Sequence, residues 1–229
     1  MNYSLVNELS GLFSWYNILL LLQGLGRTLA LSAFGCLVGF LLGFVLAIFG
    51  NTSSKVLKPL RGLIRIDCFM CRRIPFLVTL MLIFFISQYS GLKLSTFMVA
   101  LVSVCLIAAS YLGEVIRSGL ESVHRNQWEA AETLNFSYLQ SLRYIIIPQS
   151  IKVVIPPTFS FFIMYIKDTT LASQIGVMEL TSASKVLTDK GFSAALVYAT
   201  VLILYFCISY PLSRFGKRLE NKIATARYR

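Results

Sequence analysis

The sequence predicts an all-α membrane protein with five transmembrane helices, and two observations carry the prediction. Hydrophobic residues make up 56% of the 229 positions and charged ones only 14%, and the apolar residues gather in long charge-free runs. The basic residues stand at the ends of those runs, so the formal charge of +11 reads as a set of topology signals. A nucleic-acid-binding chain would instead carry a basic stripe on a soluble face.

Residues 1–26 hold an apolar segment of Leu12, Phe13, Trp15, Tyr16 and Ile18 to Leu22, broken by Asn17 and Gln23. They could form a weak span, but the aromatic pair and polar breaks better suit a helix lying at the membrane interface. Glu8 and the lack of a basic leader segment argue against a cleavable signal peptide. The region 27–219 reads as the membrane domain. Its first span, Thr28 to Ser54, repeats Gly35, Gly39 and Gly43 on one helical face, a smooth strip that lets a neighbouring backbone come close. Lys55, Lys58, Arg61, Arg65, Arg72 and Arg73 then mark a cytoplasmic connection. The second span runs from Ile74 to Leu92, with Pro75 near its start. The third runs from Leu94 to Gly113 and carries Ser95, Ser103 and Ser110, which can bond within the helix or across to another.

Val153 to Ile166 is too short to cross alone and contains Pro156-Pro157, so a broken or an extended helix is expected there. Lys167 and Asp168 follow at its end. Ionisable residues there mark either a functional site or an interfacial ion pair reaching water. Leu171 to Leu180 suits a half-inserted gate helix, and Thr181 to Lys190 a polar outer loop. Gly191 to Ser213 is the last span, and the basic residues from Arg214 onward, including the tail 220–229, belong in the cytoplasm. The N-terminus then lies outside and the C-terminus inside.

Between the third and fourth spans lies a polar connection, residues 119–148, roughly thirty residues long and far longer than a turn requires. Leu120, Val123, Trp128, Ala131 and Leu134 recur in it at helical spacing, which predicts a short amphipathic helix outside the bilayer. Ala130 and Ala131 leave one side of that helix nearly bare. Such a helix either presents a face to another protein's groove or lies on lipid headgroups.

Glu129-Ala130-Ala131, with Ile147-Pro148 after a gap, resembles the EAA loop of ABC importer permeases. Tyr111-Leu112-Gly113-Glu114, Arg117, Gln127-Trp128 and Lys167-Asp168-Thr169-Thr170-Leu171 are similar to the polar amino acid branch of that family. The resemblance extends from about Leu22 to the C-terminus. It implies the type I ABC importer permease fold, with an N-terminal interfacial helix and a cytoplasmic coupling helix that docks into a separate ATPase. Gln127, Glu129, Ala130, Ala131, Glu132 and Asn135 would make that docking surface. Phe161, Lys167, Asp168 and Thr169 would contact or gate the solute.

The implied partners are an ABC ATPase dimer that binds ATP and Mg²⁺, a second permease subunit, identical or related, and a periplasmic or extracellular solute-binding protein. The implied location is the bacterial inner membrane. Departures from the branch pattern fall at Cys71 to Thr79, which keeps the Arg and Pro but loses the Gly, Thr and Gln. Further departures are His124 for Pro, Asn126 for Gly, and Asn135 for a Gly that ends a helix. Asn is the second choice for a left-handed cap, so Asn135 can serve that turn. Cationic-substrate members tend to carry an acid where this chain has Phe161, which favours a neutral or acidic polar amino acid.

No phosphate-binding Gly-x-x-x-x-Gly-Lys-Ser/Thr loop occurs, so the chain is expected to bind no cofactor itself. A single histidine and no nucleophile–base set argue against catalysis. Cys68-Phe69-Met70-Cys71 has metal-like spacing but no second pair, and the five cysteines read as packing residues, with no metal site expected. The competing reading is a stand-alone secondary transporter or channel. That class would want ionisable groups in mid-span or an internal repeat. A membrane scaffold without transport is the third reading.

Overall fold

The computed structural model describes residues 8–51 and 58–225. Residues 1–7, the expected end of the first span at 52–54, Lys55 and the tail residues 226–229 lie outside the described residues. Among the described residues every regular element is helical. They are α1 (Trp15–Asn51), α2 (Lys58–Cys71), α3 (Phe76–Tyr89), α4 (Thr96–Glu121), α5 (Arg125–Thr133), α6 (Tyr138–Ser141), a π-helical turn (Leu142–Ile146), α7 (Ile147–Asp168), a 3-10 segment (Thr169–Ile175), α8 (Leu180–Asp189) and α9 (Ala194–Thr225).

Four stretches are long and apolar enough to cross a membrane: Trp15–Gly50, Thr96–Glu121, Tyr138–Ile175 and Ala194–Ile223. The expected second span is the shorter apolar helix α3. Its 14 residues rise about 21 Å, less than the roughly 30 Å of a hydrocarbon core. Pro75 sits at the N-cap of α3 with φ −58°, where its missing N–H leaves no helical bond unmade.

Two parts of the sequence reading change, and its open alternative at the proline pair is resolved. The expected boundary at residue 26 is not a break, because α1 runs on through 37 residues. Gly24 and Gly26 lie inside it, and Gly24 serves close contact, since a Cβ there would lie 3.0 Å from the Glu179 carbonyl oxygen. Pro156 and Pro157 lie inside an unbroken α7, so the extended alternative is the one adopted. The expected outer loop at Thr181 to Lys190 is the helix α8, which buries Leu180, Ala183, Ser184 and Leu187. Its apolar residues recur at three- and four-residue spacing, and tertiary burial of that face outweighs the polar composition.

The chain divides into two units. The first comprises Met1–Gly35, Pro75–Val104 and Ile163–Leu212, and its core is Leu12, Leu21, Leu180, Ala183, Leu187, Val197 and Val201. The second comprises Cys36–Ile74, Cys105–Phe162 and Ser213–Arg229, built on Ala47, Ile116, Leu120, Val123, Leu142, Ile146 and Val154. Within the second unit the glycine strip does what its spacing predicts. A Cβ on Gly39 would overlap that of Ala108, and one on Gly43 would lie 2.6 Å from the Gly113 nitrogen. Helices α1 and α4 therefore approach backbone to backbone, the usual source of helix association where lipid supplies no hydrophobic drive. Apolar residues with no protein cover, such as Leu202, Ile203 and Phe206 on α9, are suited to lipid.

Candidate functional site

The polar connection folds as the predicted amphipathic helix, α5, closed at both ends by local chemistry. His124 stands at its N-cap, where Nδ1 accepts a hydrogen bond from the Asn126 N–H at 3.4 Å. At the other end the Asn135 N–H donates to the Glu132 carbonyl (2.9 Å) and the Phe136 N–H to the Ala131 carbonyl (3.0 Å). Those two bonds make a Schellman cap. Asn135 has φ 55°, the one positive value among the described non-glycine residues. Asn tolerates this region better than most side chains. Replacing Asn135 by Gly is expected to be neutral or slightly stabilising. Asn135→Val should cost about 1–2 kcal/mol, read as a lower thermal midpoint of the detergent-solubilised protein.

Ser137 then starts α6 with a capping box shared with Gln140. Trp128 stacks on Tyr138 with centroids 5.8 Å apart, and the Gln149 side-chain amide donates to Gln127 Oε1 at 3.1 Å. These contacts join α5 to the base of the long α7 stretch. The two alanines divide: Ala131 is 0% exposed and packed against its own chain, whereas Ala130 faces outward. The bare side expected of the pair is therefore carried by Ala130 alone. Glu129 is exposed and pairs with Arg125 at 3.0 Å, and Gln127, Glu132 and Asn135 are also exposed. Leu134, placed by periodicity on the buried face, is 65% exposed, and Leu139 beyond it is exposed too. The left-handed turn at Asn135 ends the helical register, so spacing no longer predicts which way the chain faces. The outward surface thus combines acidic groups, one bare alanine and apolar side chains.

Close by in the same unit, Glu114 accepts from Arg117 at 2.6 and 2.9 Å, and Arg117 also reaches Glu121 at 2.5 Å. Arg72 stands 3.8 Å from Glu114. These are the Glu and Arg of the sequence block that precedes the polar connection, and they tie α4 to the end of α2.

Of the pathway candidates, Phe161 is buried and stacked on Tyr111, centroids 4.4 Å apart. Lys167 is exposed and Asp168 partly so, and Thr169 is buried with its hydroxyl donating to the Ile166 carbonyl at 2.9 Å. Asp168 stands at the start of the 3-10 segment without capping it. Elsewhere Arg72, Arg117 and Arg125 pair with glutamates.

Sequence reasoning passed over Glu179. It is fully buried and caps α8 by accepting from the Thr181 and Ser182 N–H groups at 2.8 and 2.7 Å. Burial holds its carboxyl above the ordinary range, and those two donors with Tyr205 offset only part of that rise. The signal was present as a lone acid at the end of an apolar run.

Residues 39–225 match the family described as binding-protein-dependent transport system inner membrane component. The chain belongs to that family. The permease is 32% identical over 203 residues to the probable amino-acid ABC transporter permease YckA of Bacillus subtilis (strain 168), covering 89% of this chain and 88% of that one. It is 30% identical to the glutamine transport system permease GlnP of Escherichia coli (strain K12), over 91% of this chain and 95% of that one. A crystal structure of an amino acid ABC transporter with histidines superposes with a TM-score of 0.81 at 26% identity, over 90% of the permease and 95% of that chain. The permease is thus a multi-pass membrane transport subunit, and its family is one of permeases and not of enzymes.

Proposed function

We propose that the permease forms half of the translocation pathway of an ATP-driven importer for neutral or acidic polar amino acids. The single observation that carries its coupling role is α5, a doubly capped helix whose outward face is Glu129, Ala130 and Glu132, with Ala131 turned inward. That face would seat in a groove of a separate ATPase, which holds the nucleotide and Mg²⁺. Two copies, or this chain and a related subunit, would enclose the channel, and a solute-binding protein would deliver the cargo from outside. Five passes, with α3 and its flanks making the second, put the N-terminus outside and α5 in the cytoplasm, as the basic clusters require.

ATP supplies the difference in affinity between two states of the assembly. Closure of the ATPase dimer draws the coupling helices together and turns the spans outward, and hydrolysis returns them inward. Phe161, where cationic-substrate members tend to have an acid, supports a neutral or acidic solute, as does the glutamine named for the E. coli relative.

The test is ATP-driven uptake by vesicles holding the permease with its ATPase and binding protein. Glutamine or glutamate should accumulate and arginine should not; uptake that continues without ATP would favour the stand-alone transporter. In the same vesicles Asp168→Ala is expected to lower uptake about tenfold while the ATPase still co-purifies, the scale of one lost hydrogen bond to a charged group. Normal uptake kinetics would make Asp168 a mere interfacial charge.

A further inference from the structure

Glu179 is a carboxylate with no exposed surface in a corner where three helices meet. Its Oε2 accepts from the Thr181 N–H at 2.8 Å and the Tyr205 hydroxyl at 3.3 Å, and its Oε1 from the Ser182 N–H at 2.7 Å. Helix α1 closes on the same corner. The Leu180 N–H donates to Thr28 Oγ1 at 3.2 Å, Arg27 donates to the Met178 carbonyl at 3.4 Å, and Gly24 leaves room for the Glu179 backbone. A cap explains the bonds from Thr181 and Ser182 but neither the Tyr205 bond nor the full burial, because Asp, Asn and Ser cap helices better than Glu does and need no burial. The extra methylene of Glu is what gives it the reach to Tyr205 on α9.

From this corner α8 carries the constraint onward. Lys185 donates to Ser173 Oγ at 3.3 Å. Ser173 lies in the 3-10 segment that starts directly after Asp168 and packs on α3. We propose that Glu179 is a positioning residue for transport. It clamps α8 between α1 and α9, and α8 in turn holds the 3-10 segment that fixes Asp168 and Thr169. This role rests on the importer reading of the chain.

The test uses the full transporter, permease with ATPase and binding protein, in vesicles taking up labelled glutamine. Tyr205→Phe removes one donor without emptying the corner, and Glu179→Asp keeps the cap but withdraws from Tyr205. Each is expected to raise the half-saturating glutamine concentration or lower the maximal rate about three- to tenfold, the scale of one hydrogen bond. The double variant should be no worse than either single, since both break the same link. Glu179→Ala should lose more than either, with the ATPase still bound. If Tyr205→Phe and Glu179→Asp both leave rate and half-saturation unchanged, Glu179 is only a helix cap and the proposal is overturned, even if Glu179→Ala fails to insert. Absence of ATP-driven uptake in the unsubstituted transporter would instead refute the importer reading.

Discussion

Replacing Gly43 by leucine is expected to leave almost no folded permease in the membrane. A Cβ at that position would lie 2.6 Å from the Gly113 nitrogen and 2.7 Å from the Ala109 carbonyl oxygen. Both are backbone atoms, so no rotamer change relieves the overlap and α1 must move away from α4. Overpacking a close contact costs about 1–3 kcal/mol even where side chains can shift, and here the spans would also lose their close packing. Gly26 on the same helix is the control, because nothing lies within 4 Å of a Cβ built there. Gly26→Leu should accumulate to the normal level, measured by detergent extraction and size-exclusion profile. Equal, well-folded yields of both variants would show that the α1–α4 contact is not a tight one.

Reversing the charge of Glu129 is expected to abolish uptake without harming the fold. Glu129 is exposed, and its partner Arg125 is largely in solvent. Exposed helix pairs of this spacing contribute about 0.3–0.5 kcal/mol, too little to unfold a membrane bundle. Against a partner, a misplaced charge at a desolvated contact costs about 2–5 kcal/mol, roughly thirtyfold or more in affinity. Glu129→Lys and Ala130→Trp should therefore insert normally, lose the ATPase on purification and show no uptake. Ala131→Trp should behave differently, since Ala131 is fully buried against its own chain. It is expected to damage accumulation itself. Retained ATPase binding in both Glu129→Lys and Ala130→Trp would remove α5 from the docking role.

Much of this contrast was legible in the residues and some of it was not. Apolar runs located the four long apolar stretches because partition into lipid depends on composition over about twenty residues, with no need for a partner. The Gly35, Gly39 and Gly43 strip and the left-handed Asn135 were legible for a related reason. A missing Cβ and a tolerated positive φ are properties of the residue itself. Helical spacing likewise placed an amphipathic helix in the polar connection, and α5 spans Arg125–Thr133.

The sequence by itself thus determined the helical membrane class and the place of the polar helix, which follow from local chemistry, and its motifs carried the resemblance that named the family. Only the tertiary structure decided which alanine turns inward, that α1 continues past Gly24 and Gly26, and that Thr181 to Lys190 is a helix. It alone brought Glu179 to Tyr205 and Thr28, residues far away along the chain. Which face of an element is covered depends on what packs over it. For a buried carboxylate, the donors that make burial tolerable come from other helices.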